Sequence, residues 1–169
     1  MPNTINVRSD AFENGGQIPW EYGRNGENLS PQLSWDEKPG VKSWALIVDD
    51  PDAPNGNFVH WVLFNLPGDK TNLPPGASRA KDQLYGAVEG KNSAGEIGYT
   101  GPYPPSGTHR YFFRIYGLDS MLDLNEGVTK EQVMTEIGKH NKLAEGEIMG
   151  EFSAETSKAV KTGGSTQAG

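Results

Sequence analysis

Short apolar runs separated by clusters of glycine and proline dominate the chain. The segments 43–50 (SWALIVDD) and 58–67 (FVHWVLFNLP) are almost continuously apolar, which is typical of strands covered on both faces. The segment 109–119 (HRYFFRIYGLD) is rich in aromatic and β-branched residues and also favours a strand. Weaker strand patterns lie at 144–152 and 5–12. The pattern therefore predicts a mostly β chain with many turns.

Only one segment has a convincing helical period, residues 129–144 (TKEQVMTEIGKHNKLA). Thr129 and Gln132 have the spacing of a capping box, in which each side chain bonds a backbone N–H at the start of a helix. Val133 and Ile137 then fall on one apolar stripe, one helical turn apart. The sequence thus predicts a β-rich fold with one or two peripheral helices.

The end of the chain has a different composition. After Phe152, residues 153–169 contain almost no large apolar side chain that could anchor them to a core. The segment 154–161 (AETSKAVK) could form a short helix, but it offers little to hold one. We therefore expect a single domain over residues 1–153 and a flexible C-terminal tail over residues 154–169.

Composition and charge restrict the class of function. The 169 residues carry a formal net charge of −7, which opposes general nucleic-acid binding because that requires a basic surface. The absence of cysteine excludes disulfides, thiolate catalysis and zinc–thiolate sites. No apolar run is long enough to span a bilayer, and the first residues lack the pattern of a signal segment. We expect a cytoplasmic protein that binds any anion through a local arrangement.

Two of the three histidines adjoin turns rich in proline. Side chains of a strand alternate between its faces, so His109 and Tyr111 share one face directly after the Gly-Pro loop 101–107. Prolines reduce the entropy lost when such a loop is ordered, and Gly101 exposes a backbone N–H that a ligand can approach. These features indicate a rigid rim with hydrogen-bond donors already in place.

A second group of polar residues lies upstream, where the strand 43–50 ends in Asp49 and Asp50 and the next strand carries His60. If the two strands are neighbours, an aspartate can orient the imidazole of His60 and favour its protonated form. Such a histidine and a second donor would form a pocket of phosphate size. The ordinary alternative stays open, because strand histidines and aspartates in turns are most often structural.

Four segments together resemble the phosphatidylethanolamine-binding protein family. The segments DPDAP, HWVLFNLP and GPYPPSGTHRY are similar to the two signature regions of the family, and GENLSPQLSWDEKP is similar to a segment of its bacterial and archaeal, Raf-kinase-inhibitor-like branch. They occur in the right order and spacing from about residue 5 to about residue 153. One such motif would be weak evidence, whereas four together are specific.

The resemblance implies a large central antiparallel sheet packed on a smaller sheet, with peripheral helices and a small anion pocket at one edge. Asp50 and Asp52 would hold this pocket by hydrogen bonds, and Ala53–Pro54 would be a cis peptide. The residues carried over by motif as the anion site are Asp50, Asp52, His60, Gly101, Pro102, His109 and Tyr111. His60 and His109 would donate to the anion, with the Gly101 N–H and the Tyr111 hydroxyl as further donors.

The resemblance favours a binding module for a phosphate-like or carboxylate anion, with no catalytic residue, cofactor or metal. A partner protein such as a kinase or protease and a homodimer are compatible with it, and whether a membrane lipid enters the pocket stays open. The alternative is a hydrolase in which His60, His109, Asp50 and Asp52 bind a metal, or in which a His–Asp pair acts as a general base. The tail does not match the C-terminal helix that lies near the pocket in animal and plant members.

Overall fold

A computed structural model describes residues 2–159 of the chain. The nine strands are β1 Asn3–Thr4, β2 Val7–Arg8, β3 Leu33–Trp35, β4 Ser43–Asp50, β5 Phe58–Pro67, β6 Asn72–Leu73, β7 Val88–Glu89, β8 Thr108–Leu118 and β9 Lys142–Ser153. The two α-helices are α1 Lys130–Ile137 and α2 Ala154–Lys158, and single 3₁₀ turns occupy Trp20–Tyr22 and Lys81–Gln83. The strongest predicted strands are therefore confirmed, whereas the segment 5–12 contributes only the two-residue strand β2.

The strands form a large and a small sheet. The large sheet has the order β1-β9-β8-β4-β5-β7, and the small sheet has the order β2-β3-β6. All pairings are antiparallel except that of β1 with β9, so the large sheet is mixed rather than purely antiparallel. The strand β4 lies between β8 and β5, and all eight of its residues are buried, as its apolar run predicts.

Both faces of the large sheet are covered. Leu46 and Phe113 belong to an apolar cluster that includes Leu33 and Trp35 of the small sheet. Ile47 belongs to a second cluster on the opposite face, where Val133 of α1 is buried. Adjacent residues of β4 therefore face different layers, which is why its sequence shows no polar alternation.

A β-bulge interrupts the pairing of β4 with β5 near the end of β4. Val48 pairs with Trp61 and Asp49 pairs with Val59, so His60 is an extra residue without a partner on β4. A bulge of this kind places two consecutive side chains on one face of a sheet. Val59 packs in the layer of α1, whereas Trp61 packs in the layer of the small sheet, the layer that also holds Tyr111 beside His60.

The helix α1 begins as the sequence predicts and ends earlier. Thr129 and Gln132 form both hydrogen bonds of the capping box. The helix stops at Ile137, before Gly138, and β9 already begins at Lys142, so the predicted helical range 129–144 is too long. No helix in the described part of the chain is long and apolar enough to cross a membrane.

The segment after Phe152 is attached to the domain, contrary to the expectation of a tail from residue 154. Ser153 caps the short helix α2 by accepting a hydrogen bond from the Thr156 N–H. Ser157 is buried, and its carbonyl oxygen accepts a hydrogen bond from the Asn25 side chain at 2.8 Å. The cap and these contacts attach α2 to the domain, although the segment has no large apolar side chain to do so. Residues 160–169 of the predicted tail lie outside the described residues.

Candidate functional site

A cavity of about 210 Å³ opens where β4, β5 and β8 meet two loops. Four of its buried lining residues carry polar side chains, namely Asp50, His60, His109 and Tyr111. The other lining residues are Arg24, Ala53, Pro54, Phe58, Gly101, Tyr103, Pro104 and Pro105. The structure thus brings together five of the seven site residues carried over by motif, whereas Asp52 and Pro102 do not line the cavity.

The Asp50 carboxylate is bound to His109. Its Oδ2 lies 2.6 Å from His109 Nδ1, and its Oδ1 accepts the Asp52 N–H at 2.7 Å. Asp50 is only 3% exposed, so its carboxylate has lost its hydrogen bonds to water. The two hydrogen bonds from the protein take their place. Because a carboxylate accepts, Nδ1 of His109 carries a hydrogen, and Nε2 is the nitrogen left for a ligand.

His60 has a different partner from the one the sequence suggested. Its Nδ1 lies 2.7 Å from the carbonyl oxygen of Thr100, so the expectation that Asp50 orients His60 is wrong. The strand order explains the difference, because the Asp50 side chain at the end of β4 bonds the first buried residue of β8 instead of the bulged residue of β5. The Thr100 N–H donates in turn to the His60 carbonyl oxygen at 2.9 Å.

Burial keeps the His60 ring neutral. The pKa of His60 is lowered to about 4, chiefly by loss of solvent; the Thr100 carbonyl and the Asp50 and Asp49 charges raise it in part, and the Arg24 charge lowers it. A carbonyl oxygen can only accept, so the single proton of the neutral ring sits on Nδ1. In the neutral ring His60 Nε2 is an acceptor, whereas the donor role that the resemblance implies for His60 requires the protonated ring and stays a prediction.

Tyr111 contacts both histidines. Its ring centroid lies 5.1 Å from that of His60 in an edge-on arrangement and 6.4 Å from that of His109 in a stacked arrangement. Burial, together with the nearby Asp50 charge, raises the pKa of Tyr111 far above its ordinary value. The phenol therefore keeps its proton, and the Tyr111 ring packs against both histidine rings.

Asp52 joins the turn after β4 to the start of β8. Its carboxylate accepts hydrogen bonds from the Arg110 backbone N–H and from Nε and Nη2 of the same side chain, each at 2.9 Å. The hydrogen bonds from the Arg110 guanidinium are the largest cause that lowers the pKa of Asp52, to about 2. Asp52 thus holds the pocket together from outside, in keeping with the hydrogen-bonding role that the resemblance implies.

Gly101 and Pro102 hold a neighbouring loop and do not present donors. The Gly101 N–H donates to Asn28 Oδ1 at 2.7 Å, so the expectation that it serves a ligand is wrong. A Cβ on Gly101 would lie 2.2 Å from the Tyr22 carbonyl oxygen, so glycine is needed for close backbone packing. The Pro102 carbonyl accepts the Arg24 N–H at 2.9 Å, which ties the same two loops together.

The expected cis peptide at Ala53–Pro54 is also wrong, because all described peptide bonds are trans. The chain reverses by other means. Asp50 Oδ1 accepts the Asp52 N–H, the Gly56 N–H donates to the Ala53 carbonyl at 3.1 Å, and Gly56 adopts φ of +100°. A glycine at positive φ turns the chain without strain.

Arg24 is a site residue that the motifs did not reveal. It is exposed at the rim of the cavity, and no described residue forms a hydrogen bond or ion pair with its guanidinium. Its loop is placed by the hydrogen bonds from Asn25 to α2 and from Arg24 to Pro102. The only sequence signal for Arg24 is a basic residue within the segment Gly23–Gly26 of an acidic chain. Such a signal belongs to no periodic pattern that would place the residue at the pocket.

Two observations bear on the hydrolase alternatives. No group of three or more histidine or carboxylate residues in the described part of the chain is placed to hold a metal. The Asp50–His109 pair resembles that of a general base, but no serine, threonine or lysine lines the cavity. The fold and the site define a β protein with a small cavity lined by two oriented histidines.

The comparisons with known proteins agree with this class. The model of the phosphatidylethanolamine-binding protein family matches residues 8–153, so the chain belongs to this family. It is 50% identical over 151 residues to a UPF0098 protein of Methanothermobacter thermautotrophicus, covering 87% of this chain and 93% of the relative. A UPF0098 protein of Chlamydia muridarum is 44% identical over 154 residues, covering 88% and 98%.

Two crystal structures are also similar to this chain. A phosphatidylethanolamine-binding protein homologue from Chlamydia trachomatis is 42% identical, with a TM-score of 0.81 and coverage of 89% of this chain and 98% of the homologue. YbcL of Escherichia coli is 30% identical, with a TM-score of 0.81 and coverage of 88% and 98%. The fold implied by the resemblance is therefore confirmed.

We predict that Gly101→Ala destabilises the protein by about 1–3 kcal/mol, because the added methyl group must push apart two backbone segments. Urea unfolding measures this change. Gly138→Ala is the matched control, since its Cβ would approach the Thr135 carbonyl no closer than 3.4 Å at an ordinary φ of −62°. Equal stability of the two variants would contradict the packing role of Gly101.

We predict that the stability contributed by Asp52 disappears in acid. The pKa of Asp52 is about 2 in the folded protein and near 4 when unfolded, so its contribution is complete above pH ~4 and is lost as the pH falls toward 2. Asp52→Asn should cost about 1 kcal/mol or less at pH 7, because the pair is partly exposed. Urea unfolding across this pH range should show the free energies of unfolding of Asp52→Asn and the unmodified protein converging as the pH falls. The exposed Asp69→Asn is the control and should change this free energy little. A difference for Asp52→Asn that stays constant with pH contradicts the prediction.

Proposed function

We propose that the protein binds a small phosphoryl-type oxyanion in this pocket and acts as a binding module. The observation that carries the proposal is the pair of imidazole rings that line one cavity, each bound through Nδ1 and each with Nε2 unbonded by any described residue. Rings oriented by protein bonds need no reordering when a ligand arrives. Family membership supports the same proposal, since the family is described by its binding of phosphatidylethanolamine.

Two groups can donate to the oxyanion. His109 carries a hydrogen on Nε2 in its imidazolium form, whose charge the bonded Asp50 carboxylate compensates. Arg24 adds a permanent positive charge at the rim. These donors lie in a protein of net charge −7, so the attraction for an anion is local to the pocket.

The size of the cavity favours a ligand larger than a bare ion. Its volume of about 210 Å³ is roughly seven times the volume of one water molecule in the liquid. The rim is largely apolar, with Pro54, Phe58 and Pro104 beside the exposed Tyr103. A phosphoryl group at the histidines would leave room for a short organic substituent against these side chains.

The arrangement favours binding over catalysis. The Tyr111 phenol is held protonated by burial and is a poor nucleophile. Each oxygen of the Asp50 carboxylate is bonded, one by His109 and the other by the Asp52 N–H, which makes Asp50 an orienting group. Neither the metal-dependent nor the general-base hydrolase is supported by a further contact in residues 2–159.

We predict that His109→Ala weakens phosphate binding about 10- to 150-fold, because a hydrogen bond to a charged group is worth about 1.5–3 kcal/mol. Calorimetric titration with inorganic phosphate at pH 6–7 measures the affinity, and urea unfolding checks that the variant is folded. His140→Ala is the control, since His140 lies beyond α1 beside Glu136. Unchanged affinity in His109→Ala, or no binding by the unmodified protein, would refute the proposed function.

We predict that Arg24→Gln weakens phosphate binding up to about fivefold at low salt and much less at high salt, because an exposed charge is screened. Titrations at two ionic strengths separate this electrostatic effect from a loss of packing. Arg8→Gln is the matched control, because Arg8 pairs with Asp36 and does not line the cavity. A loss that is independent of salt would contradict the electrostatic role of Arg24.

A further inference from the structure

His60 presents a bare ring nitrogen to the cavity. Its Nδ1 bonds the carbonyl oxygen of Thr100, a residue that does not line the cavity, and no described residue bonds its Nε2. The charged groups that act on the ring are Asp49, Asp50 and Arg24, and burial outweighs the two carboxylates and keeps the ring neutral. A neutral imidazole with its hydrogen on Nδ1 carries a lone pair on Nε2, which makes His60 a nucleophile.

The surroundings of the ring fix this nucleophile in one orientation. His60 is 5% exposed and packs between the rings of Phe58 and Tyr111, with centroids at 4.7 and 5.1 Å. No serine, threonine or lysine lines the cavity, and burial keeps the Tyr111 phenol protonated. The lone pair of His60 is present whichever protonation state His109 adopts, because it follows from the bonds and the burial of His60 itself.

We infer that His60 Nε2 accepts a phosphoryl group from small reactive phosphoryl donors, so that the pocket is a site of histidine phosphorylation. This inference rests on the proposed function, because the pocket must first bind the phosphoryl group of the donor beside the ring. The donors are phosphoramidates and acyl phosphates, whose leaving groups depart without a proton from the protein. Phosphomonoesters and phosphodiesters expel an alkoxide that needs an acid, so they bind unchanged, in keeping with the description of the family by its binding of phosphatidylethanolamine.

The step needs no proton transfer when the donor is phosphoramidate. His60 Nε2 forms a bond to phosphorus as the P–N bond of the donor breaks, and the nitrogen, which already carries three hydrogens, leaves as ammonia. The ring keeps its Nδ1 hydrogen on the Thr100 carbonyl and takes a positive charge, while the phosphoryl group keeps its two negative charges. Asp50 is the only carboxylate among the described lining residues, and both its oxygens are bonded, so none is free to activate water against the product.

The rate of modification tests the role of the pocket. The full chain is treated with phosphoramidate at about pH 8, where an ordinary imidazole is neutral as well. Intact mass counts the added HPO₃ units, and peptide mapping in alkali locates them. We expect His60 to react at least about 10-fold faster than His140, and faster than His60 itself in urea, because a bound donor and an oriented ring lower the barrier. Methyl phosphate should add nothing.

The position of the phosphoryl group on the ring is an independent measurement. The Thr100 carbonyl occupies Nδ1, so the folded protein should carry the phosphoryl group on Nε2 alone, whereas the unfolded chain leaves both nitrogens open. Coupling between nitrogen-15 and phosphorus in labelled protein identifies the bonded nitrogen by NMR. His60→Gln should lose the fast reaction and His140→Gln should keep it, with urea unfolding as the check that each variant is folded.

The outcomes separate this inference from the function on which it rests. A reaction at His60 no faster than at His140, a phosphoryl group on Nδ1, or fast reaction confined to His109 would overturn the inference. Fast modification that excess inorganic phosphate does not slow would also overturn it, because the donor would then not occupy the anion site. If calorimetry shows that inorganic phosphate binds while His60 does not react, the inference fails and the proposed function stands. If phosphate does not bind and His60 does not react, both fail.

Discussion

The Asp50 carboxylate is the group on which the arrangement of the pocket depends. It is a buried charge, and such a charge is tolerated only when hydrogen-bond donors replace its water. One oxygen binds His109 at the start of β8, and the other binds the backbone of the turn that follows β4. A single side chain therefore sets the positions of a histidine and a loop, and its charge is compensated when that histidine is protonated.

Much of the fold could be predicted from the sequence. The strands at 43–50 and 58–67 have the predicted bounds, because a fully buried strand requires a continuous apolar run. The helix start at Thr129 was equally clear, since the capping box is a local motif. The end of α1 and the attachment of α2 depend on tertiary contacts, such as the Asn25–Ser157 hydrogen bond, that no local pattern records.

The sequence predicts most of the residues that line the cavity, but it does not predict their hydrogen-bond partners. The motifs bring Asp50, His60 and His109 to one cavity, yet the partner of each ring depends on strand order and on a bulge. The Gly101 N–H was expected to face a ligand, but Asn28, a residue at φ of +57° in a distant loop, already accepts it. Arg24 could not be predicted for the same reason, because only loop packing brings it to the rim.

The bulge in β5 makes the pocket sensitive to chain length. A regular strand would turn His60 toward the layer of α1, since Trp61 already faces the small sheet. Deleting one residue from the first part of β5 would restore regular pairing and carry the imidazole out of the pocket. Extra residues after Asp52 in the turn 51–57 would leave the bulge and its pairing unchanged. The length of this strand, and not its composition alone, therefore decides whether the histidine faces the pocket.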